Sequence, residues 1–202
     1  MKKDSTLDFY NKNASYFSDG TLSVDFSEIQ DKFLSYFPIG SLILDFGCGS
    51  GRDTLYFLNK GMKVEAVDGS KALCQIASKN TGITVKHMLF QELNEKEQYD
   101  GIWACASILH LPKDELKDVL EKMIYSLKYG GYIYASFKYG ESEGYRGERY
   151  FTDFTENTFK EFVSDLQALS VIDQKVTSDV RPGRENEKWL NLIMQKSNTV
   201  LE

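Results

Sequence analysis

Apolar positions along this chain follow two rhythms in alternation. The run Leu42-Ile43-Leu44, closed by Gly40 before it and Gly47 after it, reads as a short strand buried on both faces. Residues 62–67 give a second strand that ends at Asp68, and residues 83–88 a third that begins β-branched. Residues 99–106 give a fourth and residues 132–137 a fifth. Helical spacing fills the intervals. One helix covers 52–60 and stops at Gly61, and another runs from Ser70, a plausible N-cap, to Lys79. The longest starts at Pro112 and repeats Leu116, Val119, Leu120, Met123, Ile124 and Leu127 at i, i+3, i+4 and i+7, with Gly130-Gly131 as its end. Strands alternating with helices imply a parallel sheet wound on both faces.

The flanks extend this frame. Leu7, Tyr10, Asn11, Ala14 and Phe17 fall on one face of a helix over residues 4–18, followed by a break at Ser18-Asp19-Gly20. A second helix, 25–36, buries Ile29, Phe33, Leu34 and Phe37 and stops at Pro38. After the fifth strand, residues 138–153 are glycine-rich and charged and read as a substrate-side insertion. A helix over 155–166 buries Phe159, Phe162, Val163 and Leu166. Residues 170–176 and 189–195 are the last two strands, the first parallel to the others and the second antiparallel, joined by 178–187. No repeat or linker interrupts the chain. The expected organisation is one domain, 1–202, with 1–38 as a helical cap on a core of 39–200.

Composition narrows the class. Hydrophobic residues make up 42% and aromatics 13% of the 202 residues, enough for a packed core. The net charge of −6, with no basic stripe, argues against a broad nucleic-acid surface. Cys48, Cys74 and Cys105 are isolated, so no disulfide framework is expected and a cytoplasmic location fits. His87 and His110 are the only histidines and lie at no metal-ligand spacing, so no metal is expected. No apolar run approaches membrane-spanning length, and Met1-Lys2-Lys3-Asp4 leads into no signal-like stretch. Leu201-Glu202 reads as a cloning remnant and is set aside.

The candidate chemistry starts at Asp45-Phe46-Gly47-Cys48-Gly49-Ser50-Gly51-Arg52, between the first strand and the helix after it. A strand, a glycine turn and a helix N-terminus form a platform for a nucleotide-like cofactor. The dinucleotide motif G-x-G-x-x-G does not fit, because Arg52 stands where its third glycine would fall. An acid followed by G-x-G-x-G resembles instead the first motif of the class I S-adenosyl-L-methionine (SAM) methyltransferases. Asp68, about 20 residues beyond Gly47 at a strand tip, is placed to accept both ribose hydroxyls.

The resemblance implies a Rossmann-like α/β fold, a doubly wound seven-stranded sheet of order 3-2-1-4-5-7-6 with strand 7 antiparallel. It also implies SAM as cofactor and S-adenosylhomocysteine as product. Gly47 to Gly51 would hold the methionyl part, Asp68 the ribose, and Gln91 or Glu92 the adenine amino group, both fitting equally, with Cys48, Gly49, Arg52 and Gly69 also counted as cofactor contacts. Ala104 and Ala106 would leave room at the fourth strand tip. Tyr10…Ala14-Ser15-Tyr16 loosely matches the family's N-terminal tyrosine pattern, so Tyr10 and Tyr16 either cover the cofactor or pack their helix. Lys128-Tyr129-Gly130-Gly131 resembles the family's L-K/R-P-G-G, with Tyr129 in place of proline.

The acceptor is less legible. Ala104-Cys105-Ala106-Ser107 replaces the N/D-P-P-Y of many amino-group methyltransferases, and this subset resembles small-molecule methyltransferases. The stretch from Gly51 to Asp68 also resembles the tellurite-resistance methyltransferases, without carrying their substrate. His110 is the one histidine placed to act as a general base, which methyl transfer from a sulfonium does not always need. Lys138, Arg149, Arg181 and Arg184 gather near one mouth, either as solvated loop charges or as a site for an anionic substrate. The alternatives are an RNA- or protein-modifying methyltransferase, a non-catalytic SAM-binding module, and a nicotinamide oxidoreductase, which Arg52 disfavours.

Overall fold

The continuous apolar runs become the strands of one seven-stranded sheet in a computed structural model that describes residues 5–197; residues 1–4 and 198–202, Leu201-Glu202 among them, lie outside the described residues. The strands are β1 (Leu42–Phe46), β2 (Lys63–Asp68), β3 (Lys86–His87), β4 (Tyr99–Ala104), β5 (Leu127–Lys138), β6 (Glu143–Arg146), β7 (Arg149–Thr152), β8 (Leu169–Ser178) and β9 (Lys188–Lys196). The helices are α1 (Ser5–Lys12), α2 (Ala14–Thr21), α3 (Ser27–Leu34), α4 (Arg52–Asn59), α5 (Lys71–Thr81), α6 (Lys113–Ser126) and α7 (Glu156–Phe162). The sheet order is β3-β2-β1-β4-β5-β9-β8, with β9 antiparallel to both neighbours. This is the order and direction expected, β8 and β9 standing as the sixth and seventh strands.

Alternation within the central strands explains why both faces are apolar. Ile43, Trp103, Tyr134 and Ile193 point toward α3 and α4, where they meet Phe33, Leu34 and Phe57. Trp103 and Tyr134 stack with ring centroids 3.8 Å apart. Leu44, Phe46, Ile102, Ile133 and Leu192 point the other way, onto Leu116, Val119, Leu120 and Met123 of α6 and Phe159 of α7. Each fully buried side chain of this size contributes about 1.5–3 kcal/mol. The sheet is therefore a stiff floor, and its carboxyl edge carries the loops that matter.

Several boundaries differ from the sequence reading. The helix expected over 4–18 is two helices that bend at Asn13, whose side-chain amide donates to the Phe9 carbonyl (2.8 Å). The break expected at Ser18-Asp19-Gly20 does not occur, since α2 continues to Thr21. The third strand shrinks to Lys86–His87, because at the sheet edge only Val67 and Asp68 offer it ladder partners. β5 begins at Leu127, so Gly130-Gly131 lies inside an irregular strand and does not end a helix. The charged segment 138–153 hides a hairpin, β6–β7, closed by Gly147 at φ +62°.

Candidate functional site

The chain leaves β1 through a turn pressed against its neighbours. Gly47 sits at φ +87°, and a Cβ added there would lie 2.4 Å from the Ser107 Cβ. Ser107 is itself fixed by donating its hydroxyl to the Phe46 carbonyl (2.7 Å). The Gly47 and Cys48 N–H groups both donate to the Val67 carbonyl (2.9 and 3.0 Å), tying the turn to the end of β2. Gly51, at φ +85°, caps α4 where a methyl group would meet Thr81 at 2.6 Å.

Asp68 braces this turn from the β2 tip. One carboxylate oxygen accepts the Gly49 N–H (2.9 Å) and the other the Ser70 N–H (2.7 Å). Burial pushes its pKa up to about 6, against the pull of those two N–H groups. Each oxygen keeps a further lone pair for a ligand hydroxyl.

Helices α1 and α2 lie over the glycine turn as a cover. Leu7 packs on Gly69, where a Cβ would meet it at 2.8 Å, and Phe17 stands 3.2 Å from the corresponding point on Gly49. Asn11 accepts from the Ser70 hydroxyl (2.8 Å), and the Thr21 and Ser50 hydroxyls lie 3.2 Å apart. Between cover and sheet edge is a cavity of about 970 Å³. One half is bounded by Gly47, Gly49, Asp68, Leu89 and Phe90; the other reaches His110, Arg149, Arg181 and Trp189.

The cavity brings together most of the residues singled out from the sequence. Tyr10, Gly47, Cys48, Gly49, Arg52, Asp68, Gly69, Gln91, Ala106, His110, Lys138, Arg149 and Arg184 all line it. Three others are placed elsewhere. Tyr16 is 84% exposed, because the bend at Asn13 turns Phe17 inward in its stead. Ala104 is buried inside β4, beneath the strand tip. The Glu92 carboxylate accepts the Leu89 N–H (2.7 Å) and caps its own turn, whereas Gln91 donates to Glu115 (2.8 Å) at the cavity wall. Ala106 holds φ +50° without being glycine, a strained backbone at the cavity rim steadied by the Ser136 hydroxyl, which accepts its N–H (2.8 Å).

The cationic mouth is largely neutralised. Lys138 pairs with Glu187 and, at 3.5 Å, with Asp179. Arg181 pairs with Asp179, Arg184 with Glu187 (2.6 Å), and Arg146 with Asp153. Arg149 differs: among the described residues no carboxylate pairs with it, and its guanidinium rests against the rings of Phe9 (4.7 Å) and Phe151 (5.1 Å). Arg52, expected to touch the cofactor, is held by Asp53 through two hydrogen bonds (2.7 and 3.0 Å) above the Phe26 ring.

Sequence reasoning missed the network under Arg52. Asp53 also accepts from Gln30 (2.7 Å) and the Trp103 indole (2.8 Å), so a buried carboxylate joins α3, α4 and β4. The available signal was Gln30, a polar residue inside the apolar stripe of its helix. Phe17, Phe26 and Phe90 were likewise assignable only to packing, because a cavity-facing aromatic has the same spacing as a core one.

The family described as a methyltransferase domain matches residues 43–131, from β1 through the start of β5. Over that stretch the chain matches a methyltransferase domain, and its sheet order is that of the class I methyltransferase fold. An uncharacterized methyltransferase of Staphylococcus carnosus is 25% identical over 190 residues, 89% of this methyltransferase and 88% of that one. The probable S-adenosyl-L-methionine-dependent methyltransferase TehB of Haemophilus influenzae is 25% identical over 170 residues; the match takes 81% of this chain and only 59% of TehB. Among solved structures, the 1,6-didemethyltoxoflavin-N1-methyltransferase of Burkholderia thailandensis superposes with a TM-score of 0.74 at 20% identity, covering 95% of this chain and 85% of that one. Magnesium protoporphyrin IX methyltransferase of Synechocystis, with S-adenosylhomocysteine bound, also reaches 0.74 at 18% identity, covering 98% and 100%. The [4+2]-cyclase SpnF shares the fold as well, at 0.68 and 15% identity over 85% and 81%, so the fold by itself does not choose the acceptor.

Proposed function

We propose that this methyltransferase acts on a small acceptor carrying an anionic group, as a single unit in the cytoplasm in which residues 1–38 form a cap. SAM is the donor and S-adenosylhomocysteine the product. The carrying observation is one continuous cavity that joins the Gly47–Asp68 cradle to Arg149. The cradle suits the donor on its own geometry. The crowding against Ser107 at Gly47 leaves bare backbone toward the ligand, Asp68 offers two buried acceptor oxygens, and Leu7, Leu89 and Phe90 give apolar walls for a flat base. When bound, SAM supplies a methyl group on a positively charged sulfur, whose departure needs no protonation. The protein then has to align the acceptor and keep water out, and α1 and α2 provide the cover.

No helix among the described residues is long and apolar enough to cross a membrane, in keeping with an acceptor met in water. Gln91 is the better adenine contact, since Glu92 is used in its turn. Arg149 is the anion anchor, and Lys138 and Arg184 act as wall residues with their charges answered by Glu187.

Asp68→Ala is expected to weaken S-adenosylhomocysteine binding by about 1.5–3 kcal/mol, the size of hydrogen bonds to a charged group. Calorimetry giving an unchanged affinity would remove Asp68 from the site. Because the carboxyl is ionised only above about pH 6, wild-type affinity should decline as the pH is lowered through that value. The function itself is tested by tritiated-methyl transfer from SAM into a low-mass fraction of cell extract. Label that stays on an anion-exchange resin at neutral pH is expected. Label appearing only in protein or RNA would defeat the small-acceptor reading.

A further inference from the structure

Both ring nitrogens of His110 are engaged, which settles what it is able to do. Nδ1 lies 2.5 Å from the Tyr150 backbone carbonyl, and a carbonyl only accepts, so Nδ1 carries the proton. Burial, reinforced by the nearby Arg149 charge, pulls the ring's pKa down to about 4, with the Tyr150 carbonyl opposing. The ring is neutral, and Nε2 accepts the Tyr10 hydroxyl proton at 2.8 Å. Phe151 meets the ring at 4.8 Å from its other side. No nitrogen of His110 is left to touch an acceptor directly.

The consequence falls on Tyr10. Its only proton is committed to His110, and Arg149 Nη1 donates to its oxygen at the long distance of 3.4 Å, which leaves one lone pair toward the cavity. The charged groups facing this phenol are Arg149 from β7, Arg181 from the loop after β8 and Asp68 from β2. Burial keeps the phenol protonated, its pKa raised despite the Arg149 charge beside it. Helix α1 is held in register by Thr6, whose hydroxyl accepts the Tyr150 N–H (3.0 Å).

We propose that the Tyr10 oxygen receives the proton of the methyl acceptor, and that His110 is a positioning residue that aims this oxygen and takes the phenol's own proton. This rests on the methyl-transfer reading above. The nucleophile is then protic, a hydroxyl or an N–H, and lies close to the anionic group that Arg149 holds. As the nucleophile's electron pair takes the methyl group and the sulfur keeps the pair of the broken S–C bond, the proton passes to the Tyr10 oxygen. Tyr10's proton shifts to His110 Nε2 only in passing, because burial and the Arg149 charge disfavour a charged imidazole, and the proton displaced from the nucleophile leaves through this pair to water, which balances the positive charge lost at sulfur.

Two measurements test this. The first needs no turnover. In the ¹⁵N-histidine-labelled chain with S-adenosylhomocysteine bound, His110 should show a protonated Nδ1 and a hydrogen-bonded, unprotonated Nε2. Tyr10→Phe should shift that Nε2 and leave His87 unmoved. An Nε2–H tautomer overturns the proposal. The second uses tritiated SAM and the low-mass extract fraction. Tyr10→Phe should lower kcat by about 10²-fold with KM for SAM nearly unchanged, and its rate should climb with pH as the acceptor loses its own proton. His110→Gln should lose a similar factor and the double variant little more, since both act through one oxygen. An active wild type matched by Tyr10→Phe across the pH range overturns this proposal alone. A wild type that binds S-adenosylhomocysteine but transfers no label overturns the methyl-transfer reading as well.

Discussion

Asp53→Ala is expected to lower the unfolding free energy by about 3–5 kcal/mol. Asp53 is 7% exposed and takes hydrogen bonds from Arg52, Gln30 and Trp103. Removing it strands a guanidinium, an amide and an indole N–H in low dielectric at once. Arg52 then either stays buried without a partner or swings into the cavity. Urea unfolding followed by circular dichroism would read the loss directly, and a change below about 1 kcal/mol would show that water or a neighbouring group replaces the carboxylate. Cofactor affinity should drop as well, since α4 begins at Arg52 beneath the glycine turn.

Asp45→Asn should do the opposite, and only at higher pH. Asp45 is 2% exposed, and burial together with the Asp53 charge drives its pKa up to about 8, although Thr54 donates to it at 2.5 Å. In the unfolded chain the same group titrates near 4. The folded state therefore binds this proton more tightly. Its contribution is complete below about pH 4 and is lost progressively until about pH 8. Asparagine carries no such dependence. Thermal unfolding should find the variant level with wild type near pH 4 and more stable by about 2–4 kcal/mol near pH 8. A gap of constant size across that range would mean that Asp45 is ionised in the fold.

Much of the architecture was legible because its causes are local. Leu42-Ile43-Leu44 has no polar face to offer solvent, and Asp68 closes the next strand beside the glycine turn. What escaped depends on partners far away in the chain. Lys138 and Arg184 looked like free cations until Glu187 was placed between them. Tyr16 and Phe17 are adjacent, and only the bend at Asn13 decides which one faces the cavity. The hairpin β6–β7 was hidden by composition: Glu143, Arg146 and Arg149 mask a ladder whose inward residue, Phe151, is buried. His110 lines the cavity, but its ring contacts were not legible, because the Tyr150 carbonyl that fixes its tautomer contributes no side-chain signal.

Tyr150 deserves a last thought as a rivet. Through its amide and its carbonyl this one residue fastens the hairpin to helix α1 on one side and to His110 on the other. The hairpin and the cover formed by α1 and α2 are thereby fastened to one another at a single residue. Grafting a different hairpin to redirect the enzyme toward new acceptors would also alter how quickly spent donor escapes, so turnover and selectivity in this scaffold should be engineered together.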